Sequence, residues 1–213
     1  LGSITYANTG DDPTRFSSTR VLTLTVNDGD DGSIPGVVTI SLTPVNDPPS
    51  FVAGPDQQAF ENELPHHVPG WASQLDAVEA GQTLSFSVTT GNDALFSVLP
   101  TVDGATGDLS YEAAPDANGS ATLSVYAMDN GGTVNGGEDT SPPQVVTIAV
   151  TSVNDAPSFT AGADESVLKD GGTQTVHAWA TDLSAGPADE SGQALTFTVT
   201  TDNDGLFSVL PTV

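Results

Sequence analysis

The most constraining feature of this sequence is a segment that occurs twice. VNDPPSF at residues 45–51 returns as VNDAPSF at 153–159, so Phe51 and Phe159 lie 108 residues apart. That spacing is the size of one compact domain. Proline cannot donate to a β-ladder and keeps the preceding residue extended, which prevents a strand from running regularly through either segment. The two segments are therefore predicted to be linkers between similar units.

Further matches divide the chain into one complete unit and two halves. Trp71 and Trp179 are also 108 residues apart, and the sequence LFSVLPTV occurs at both 95–102 and 206–213. GQTLSFSV at 81–88 resembles GQALTFTV at 192–199, which places a three-residue insertion in a loop after Trp179. The predicted domains are the C-terminal half of a repeat at 1–47, a complete repeat at 48–155, and the N-terminal half of a further repeat at 156–213.

The apolar residues alternate with polar ones, which is typical of half-buried strands. Short alternating segments separated by Gly, Pro, Asn and Asp predict an all-β fold of Greek-key β-sandwiches. Asn118-Gly119 is a strong hairpin signal, and Trp71 is interpreted as a core anchor rather than a sugar platform. The predicted strands are 22–26, 38–42, 68–72, 84–88, 95–98, 109–111, 121–127 and 145–150.

The charge excludes several classes of partner. Three Lys and Arg face 28 Asp and Glu, which gives a net charge of −25. Such a field repels phosphate backbones and anionic membranes, so neither nucleic-acid binding nor membrane insertion is expected. It attracts divalent cations or reflects adaptation to salt. The absence of cysteine rules out disulfides and thiolate metal sites.

The order of these motifs resembles that of cadherin-like, immunoglobulin-like tandem repeats of large bacterial surface proteins. Both linkers resemble the family's Asx-rich linker before a proline, and the segment 125–131 resembles the one that ends in a calcium-ligating aspartate. The segment 60–65 resembles the glutamate-bearing first strand, and 180–192 resembles the paired-aspartate loop. The resemblance implies extracellular sandwiches with calcium between them.

The resemblance also implies a set of ligands for each linker. Calcium takes six to eight oxygens, and only converging Asx- and Glu-rich loops supply that many. The sequence departs from the family pattern at Pro44, Ser152, Pro48 and Lys169-Asp170. Fewer calcium ions per linker than in the family, or none at all, are therefore also compatible with the sequence. The alternative is that these acids only solvate the loops and close Asx-turns. The implied ligands are Asn46, Asp47, Asp76, Glu79 and Asp129, with Asp11 or Asp12, at the first linker, and Glu61, Asp116, Asn154, Asp155, Asp182 and Asp189 at the second.

The expected function is structural or adhesive. The chain is interpreted as a calcium-stiffened stalk or fibre segment at a cell surface, with neighbouring repeats, copies of the same chain, surface glycans or other cells as partners. Residues 156–213 and 1–47 together supply 105 residues against a period of 108, so the halves are complementary and either belong to a longer array or assemble head to tail. A carbohydrate-binding module is the alternative, and no catalytic constellation is recognised.

Overall fold

The computed structural model describes residues 4–7 and 17–213, and its regular structure there is β-sheet with a few single 3-10 turns. Contacts divide the chain into two compact units, 1–151 and 152–213. The finer division at 47 and 155 stays a prediction. The described strands are β1 (Thr19–Leu24), β2 (Gly36–Ser41), β3 (Ser50–Val52), β4 (Gln57–Phe60), β5 (His66–Val68), β6 (Ser73–Asp76), β7 (Ser85–Thr90), β8 (Phe96–Val102), β9 (Leu109–Ala113), β10 (Gly119–Met128), β11 (Gln144–Thr151), β12 (Ser158–Thr160) and β13 (Thr181–Ser184).

The first unit contains a β-sandwich between residues 50 and 151. One sheet has the order β4-β11-β10-β7, in which β4 and β11 are parallel and the other pairs antiparallel. The opposing sheet has the order β5-β9-β8, and β3 pairs with β6 beside it. Because neighbouring side chains of a strand point to opposite faces, the alternation in the sequence fills one core between these layers. The prediction of an all-β sandwich is confirmed.

The core follows the alternation closely. Leu123 and Val125 of β10 and Ile148 of β11 are fully buried, and they meet Leu109 and Tyr111 of β9 within one apolar cluster. Side chains between these positions, such as those of Ser124 and Thr147, are only partly buried. Full burial of a Leu or Ile side chain stabilises a fold by about 1.5–3 kcal/mol, so these few positions carry much of the stability of the sandwich.

Trp71 is a core residue, as the sequence predicts, and only 4% of it is exposed. Its indole N–H donates to the carbonyl of Pro55 at 3.1 Å, so its polar edge is satisfied inside the protein. A buried and hydrogen-bonded ring cannot serve as a stacking platform for a sugar. The carbohydrate-binding alternative therefore loses one of its candidate aromatic residues.

Two local predictions are wrong. Residues 68–72 do not form one strand, because Pro69 and Gly70 make a turn between β5 and β6. Asn118-Gly119 does not close a hairpin, since β9 and β10 lie in different sheets and Gly119 begins β10 with φ +125°. Pro69-Gly70 is itself a turn signal that the predicted strand passed over, whereas nothing in the Asn118-Gly119 dipeptide reveals that the chain crosses between sheets there.

The hairpin β1–β2 also belongs to the first unit. Its six antiparallel pairs run from Thr19 opposite Ser41 to Leu24 opposite Gly36. The two strands overlap the predicted segments 22–26 and 38–42 but begin earlier. Most of its apolar side chains are exposed, including those of Val21, Leu24 and Val38.

The second unit is smaller and less regular. Strands β12 and β13 pair with a β-bulge between Ser158 and Thr160. Phe159 meets Phe197 edge-to-face with ring centroids 5.2 Å apart. The alternating stretch 195–199 forms no strand, although the similar stretch at 84–88 largely coincides with β7.

Candidate functional site at the linkers

Asn46 of the first linker is held from several directions. Its Nδ2 donates to Asp129 Oδ1 at 2.9 Å and to the carbonyl of Glu138 at 2.6 Å. Its Oδ1 accepts from Gln82 Nε2 at 2.6 Å, and its carbonyl accepts from the backbone N–H of Glu138 at 3.0 Å. These partners lie 36 to 92 residues away in the sequence. The linker is thus a structured part of the first unit rather than a flexible tether.

Asp47 continues the same arrangement. Its backbone N–H donates to Glu79 Oε1 at 2.9 Å. Pro49, two residues later, is among the most completely buried residues of the chain, and Phe51 enters the core. The polar contacts of Asn46 and Asp47 and the apolar contacts of Pro49 and Phe51 therefore fix the chain as it enters the sandwich.

Two glycines allow the linker to come this close. A Cβ on Gly131 would collide with Asn46 Oδ1, and one on Gly137 would lie 2.9 Å from the Cβ of Asn46. Both residues belong to the long loop between β10 and β11. The close approach of Asn46 gives these two positions a structural reason to be glycine.

The first linker gathers acceptor oxygens that lack donors. Glu79 Oε2, Gln82 Oε1 and Asp129 Oδ2 are all buried and have no hydrogen-bond partner. Each belongs to a side chain whose other polar atom contacts Asn46 or Asp47. A buried acceptor without a donor costs about 1–3 kcal/mol, and more when it is charged. These three oxygens are the donor set that a hard cation prefers.

The second linker repeats two of these contacts within the second unit. The backbone N–H of Asp155 donates to Glu190 Oε1 at 2.7 Å, and Gln193 Nε2 donates to Asn154 Oδ1 at 3.1 Å. Glu190 is 6% exposed, and its Oε2 is buried without a partner. A glutamate and the glutamine three residues later therefore hold the Asn-Asp pair at both linkers.

The structure brings some of the predicted ligands together and not others. Asn46, Asp47 and Asp129 converge with Glu79 at the first linker, whereas Asp11 and Asp12 lie outside the described residues. Asp76 instead closes a local turn, because its Oδ1 accepts from the backbone N–H of Val78 at 2.8 Å. Its place in the predicted set finds no support in these contacts.

The ligands predicted for the second linker fall in both units. Glu61 and Asp116 belong to the first unit, where Asn118 Nδ2 donates to Glu61 Oε2 at 3.4 Å and Asn62 Nδ2 donates to Asp116 Oδ1 at 3.2 Å. Asn154, Asp155, Asp182 and Asp189 belong to the second unit.

Asp182 has a backbone role that its sequence context does not suggest. Its φ is +51°, and Gln74, which lies 108 residues earlier, has the same φ. Asp182 Oδ2 accepts from Thr181 Oγ1 at 3.3 Å. Two contacts to the second linker come from Glu190 and Gln193, which lie close in sequence to the predicted Asp189.

Sequence reasoning missed most of this glutamate–glutamine pair. The signal was present, because EAGQ at 79–82 and ESGQ at 190–193 share a Glu three residues before a Gln. Glu79 was considered, but Gln82, Glu190 and Gln193 were not included. The predicted set drew on Asp, Glu and Asn residues and so passed over glutamines that bind the linker asparagine directly.

Most acids of the described chain are dispersed. Among residues 4–7 and 17–213, no three His, Asp or Glu side chains are grouped as a ready metal site. The donor set at the first linker is mixed, with two carboxylates and an amide oxygen. In the same described part, no helix is long and apolar enough to cross a membrane.

Comparison with solved structures finds neighbours of the β-sandwich fold, of which one is described below. No family model and no curated protein matches this sequence. The chain is similar to a crystal structure of human protocadherin-24 EC1-2, with 17% sequence identity and a TM-score of 0.43. The match covers 64% of this chain and 67% of that one.

Proposed function

We propose that this chain is a structural, adhesive module of the cadherin-like type that works outside the cell, with calcium at its linkers. The observation that carries the proposal is the trio of buried acceptor oxygens at the first linker, on Glu79, Gln82 and Asp129. Asn46, Asp47 and these three residues would hold the ion. In this role the protein is a stalk or fibre segment of a bacterial surface protein.

Electrostatics supports a cation at this place. Two unit charges about 4 Å apart repel by about 4 kcal/mol at an effective dielectric of 20, so buried carboxylates around one linker destabilise it when nothing neutralises them. With only three Lys and Arg in 213 residues, the chain has few cations of its own to offer. A bound divalent ion would turn this repulsion into attraction and tie Asn46 and Asp47 to the sandwich.

The second linker supports the same reading. The Asp155–Glu190 and Asn154–Gln193 hydrogen bonds repeat those of the first linker, and Glu190 also keeps one buried oxygen without a donor. A device that occurs twice at equivalent linkers suits a module whose job is to fix successive sandwiches. We expect no catalytic activity from such a module, and its partners would be neighbouring repeats, copies of the chain or other cells.

Thermal unfolding of protein first stripped by a chelator tests this proposal. Calcium should raise the melting temperature with a midpoint of about 10⁻⁴–10⁻³ M, the range usual for extracellular modules, and magnesium should substitute poorly because it demands tighter octahedral geometry. Asp129→Asn should abolish most of the shift.

The matched control is Glu112→Gln, which removes one charge from β9 away from the linker. It should keep the calcium-dependent shift of the unmodified protein. A melting temperature that is the same in chelator and in calcium would refute the proposal.

A further inference from the structure

Three asparagines of this chain are followed directly by glycine, namely Asn118, Asn130 and Asn135. Asparagine is a thermolabile residue, because the backbone nitrogen of the next residue can attack its side-chain amide carbon. Glycine hinders this attack least, since it has no side chain and its backbone is the most permissive. All three asparagines are exposed, so the contacts around each one decide which of them reacts.

The Asn130-Gly131 pair is held at both reacting groups. Asn130 Oδ1 accepts from the backbone N–H of Thr83 at 3.0 Å, which fixes the carboxamide against the segment before β7. The N–H of Gly131 donates to Asp129 Oδ1 at 2.8 Å, so the attacking nitrogen is directed towards that carboxylate. Gly131 is also packed against Asn46. Ring closure at this pair therefore requires two hydrogen bonds to break in a crowded place.

The Asn118-Gly119 pair is held by the sandwich. Gly119 is the first residue of β10 and lies opposite Val150 of β11. Asn118 Nδ2 donates to Glu61 Oε2 at 3.4 Å, and Glu61 is only 2% exposed. The ladder thus fixes the backbone at Gly119, and a buried carboxylate tethers the carboxamide. Reaction at this pair requires the start of β10 to separate from β11.

The Asn135-Gly136 pair lies in the loop between β10 and β11, outside any strand. Both residues have left-handed backbones, with φ +60° at Asn135 and +88° at Gly136. Within residues 4–7 and 17–213, no hydrogen bond holds the side chain of Asn135. A Cβ placed on Gly136 would meet no atom within 4 Å, so there is room beside the attacking nitrogen. This pair lacks the restraints that hold the other two.

We propose that Asn135 is a site of spontaneous deamidation and that the fold protects Asn118 and Asn130. The nitrogen of Gly136 forms a bond to Cγ of Asn135, the amide C–N bond breaks, and the amino group leaves with the proton of Gly136 as ammonia. Water then opens the resulting five-membered succinimide at either carbonyl, which yields aspartate or isoaspartate. In isoaspartate the backbone runs through the side chain. The modification goes beyond the proposed function and requires no calcium.

Isoaspartate at position 135 acts on the first linker through the residues that follow it. It adds a methylene to the backbone of a turn that is closed by the N–H of Gly137 and the carbonyl of Val134 at 3.2 Å. The next residue, Glu138, donates its N–H to the carbonyl of Asn46 at 3.0 Å and accepts from Asn46 Nδ2 at 2.6 Å. A longer turn displaces Glu138 from Asn46, so the modification loosens the linker as the protein ages.

Peptide mapping by mass spectrometry tests the site. The folded chain and the same chain unfolded in guanidinium chloride are incubated side by side in warm, mildly alkaline buffer, and each of the three pairs is followed separately. The unfolded chain supplies the reference rate for each pair. Folding should slow Asn118 and Asn130 at least tenfold, because they react only after local opening, and should leave Asn135 close to its reference rate. Equal slowing of all three pairs, or a fold-induced slowing that is greatest at Asn135, overturns the proposal.

Hydrogen exchange at the amide of Glu138 tests the consequence for the linker. Protein aged to isoaspartate at position 135 should exchange this amide several-fold faster than fresh protein. Freshly purified Asn135→Asp is the matched control, since it carries the new charge on a normal backbone and should exchange like fresh protein. Asn135→Gly keeps the left-handed backbone without a side-chain amide and should not change on ageing. An aged chain whose Glu138 amide exchanges at the fresh rate overturns the effect on the linker.

Discussion

The backbone N–H of Asp47 donates to Glu79 Oε1 at 2.9 Å, across 32 residues of sequence. The same hydrogen bond joins the backbone N–H of Asp155 to Glu190 Oε1 at 2.7 Å, although the segment between these two residues is three residues longer than that between Asp47 and Glu79. The insertion changes the loop and leaves the contact intact. Retention of a contact through a change in loop length indicates that the contact, rather than the loop, defines how the chain leaves each linker.

Substitutions at Glu79 distinguish the roles of its two oxygens, Oε1 as the acceptor for the N–H of Asp47 and Oε2 as a proposed calcium ligand. Glu79→Gln keeps an acceptor for the N–H of Asp47 and removes one of the repelling charges, so stability in chelator should be equal or higher while the stabilisation by calcium is lost. Glu79→Ala removes the acceptor as well and should cost about 1–3 kcal/mol even in chelator. Urea denaturation of both variants, with and without calcium, measures the difference. Equal losses for the two variants in chelator would contradict the role of the hydrogen bond.

Equivalent leucines should differ in their effect on stability. Leu123→Ala removes a fully buried side chain and should destabilise the sandwich by about 2–5 kcal/mol. Leu22→Ala, at the matching place of the hairpin, should cost less than about 1 kcal/mol in dilute protein, because its side chain is only partly buried. Denaturation monitored by the fluorescence of Trp71, in a Trp179→Phe background that removes the second tryptophan, reports on the sandwich. A large loss with Leu22→Ala would mean that the hairpin is already covered.

Gly131, which leaves room for the side chain of Asn46 because it has no Cβ, provides a test of the linker geometry. Gly131→Ala should push Asn46 from its place, weaken the linker by about 1–3 kcal/mol and speed hydrogen exchange at the amide of Asp47. Gly192→Ala is the control, since a Cβ there meets no atom within 4 Å. Exchange at Asp47 that is unchanged in Gly131→Ala would show that the linker does not depend on this close approach.

The pKa of Asp103 gives stability a defined pH dependence. The backbone N–H groups of Thr106 and Ala105, and the Thr106 hydroxyl, hold the pKa of this carboxyl below its ordinary value of 3.8. A pKa lowered by folding contributes stability above the unfolded value and loses it as the pH falls through the folded one. The melting temperature of Asp103→Asn should therefore lie below that of the unmodified protein at pH 7, and the gap should narrow below about pH 4. A gap that is constant with pH would contradict this role.

The sequence predicted the elements whose signal is local. Alternation located the strands that became β10 and β11, because those strands alternate between a buried face and an open one and the pattern alone reveals it. The burial of Trp71 was foreseen for the same reason. The short strands β3 and β4 were not predicted, since three or four residues cannot show a period.

The linker site was predicted only in part, for a different reason. Asn46, Asp47 and Asp129 were in the ligand set that the resemblance implied, and their binding of calcium stays a prediction. Gln82 and Gln193 were not predicted, because a hydrogen bond between two side-chain amides leaves no recognisable pattern in a single sequence. Asp76 was in the set because the resemblance implied it, and its turn with Val78 is visible only once the backbone is known.

Calorimetric titration of calcium into chelator-stripped protein tests the central claim most directly. The account predicts saturable binding with a Kd of about 10⁻⁴–10⁻³ M, weakened at least tenfold by Asp129→Asn and by Glu79→Gln and unchanged by Glu112→Gln. Absence of binding heat together with an unaltered melting temperature, or equal weakening by all three substitutions, would contradict a calcium site at the Asn46-Asp47 linker.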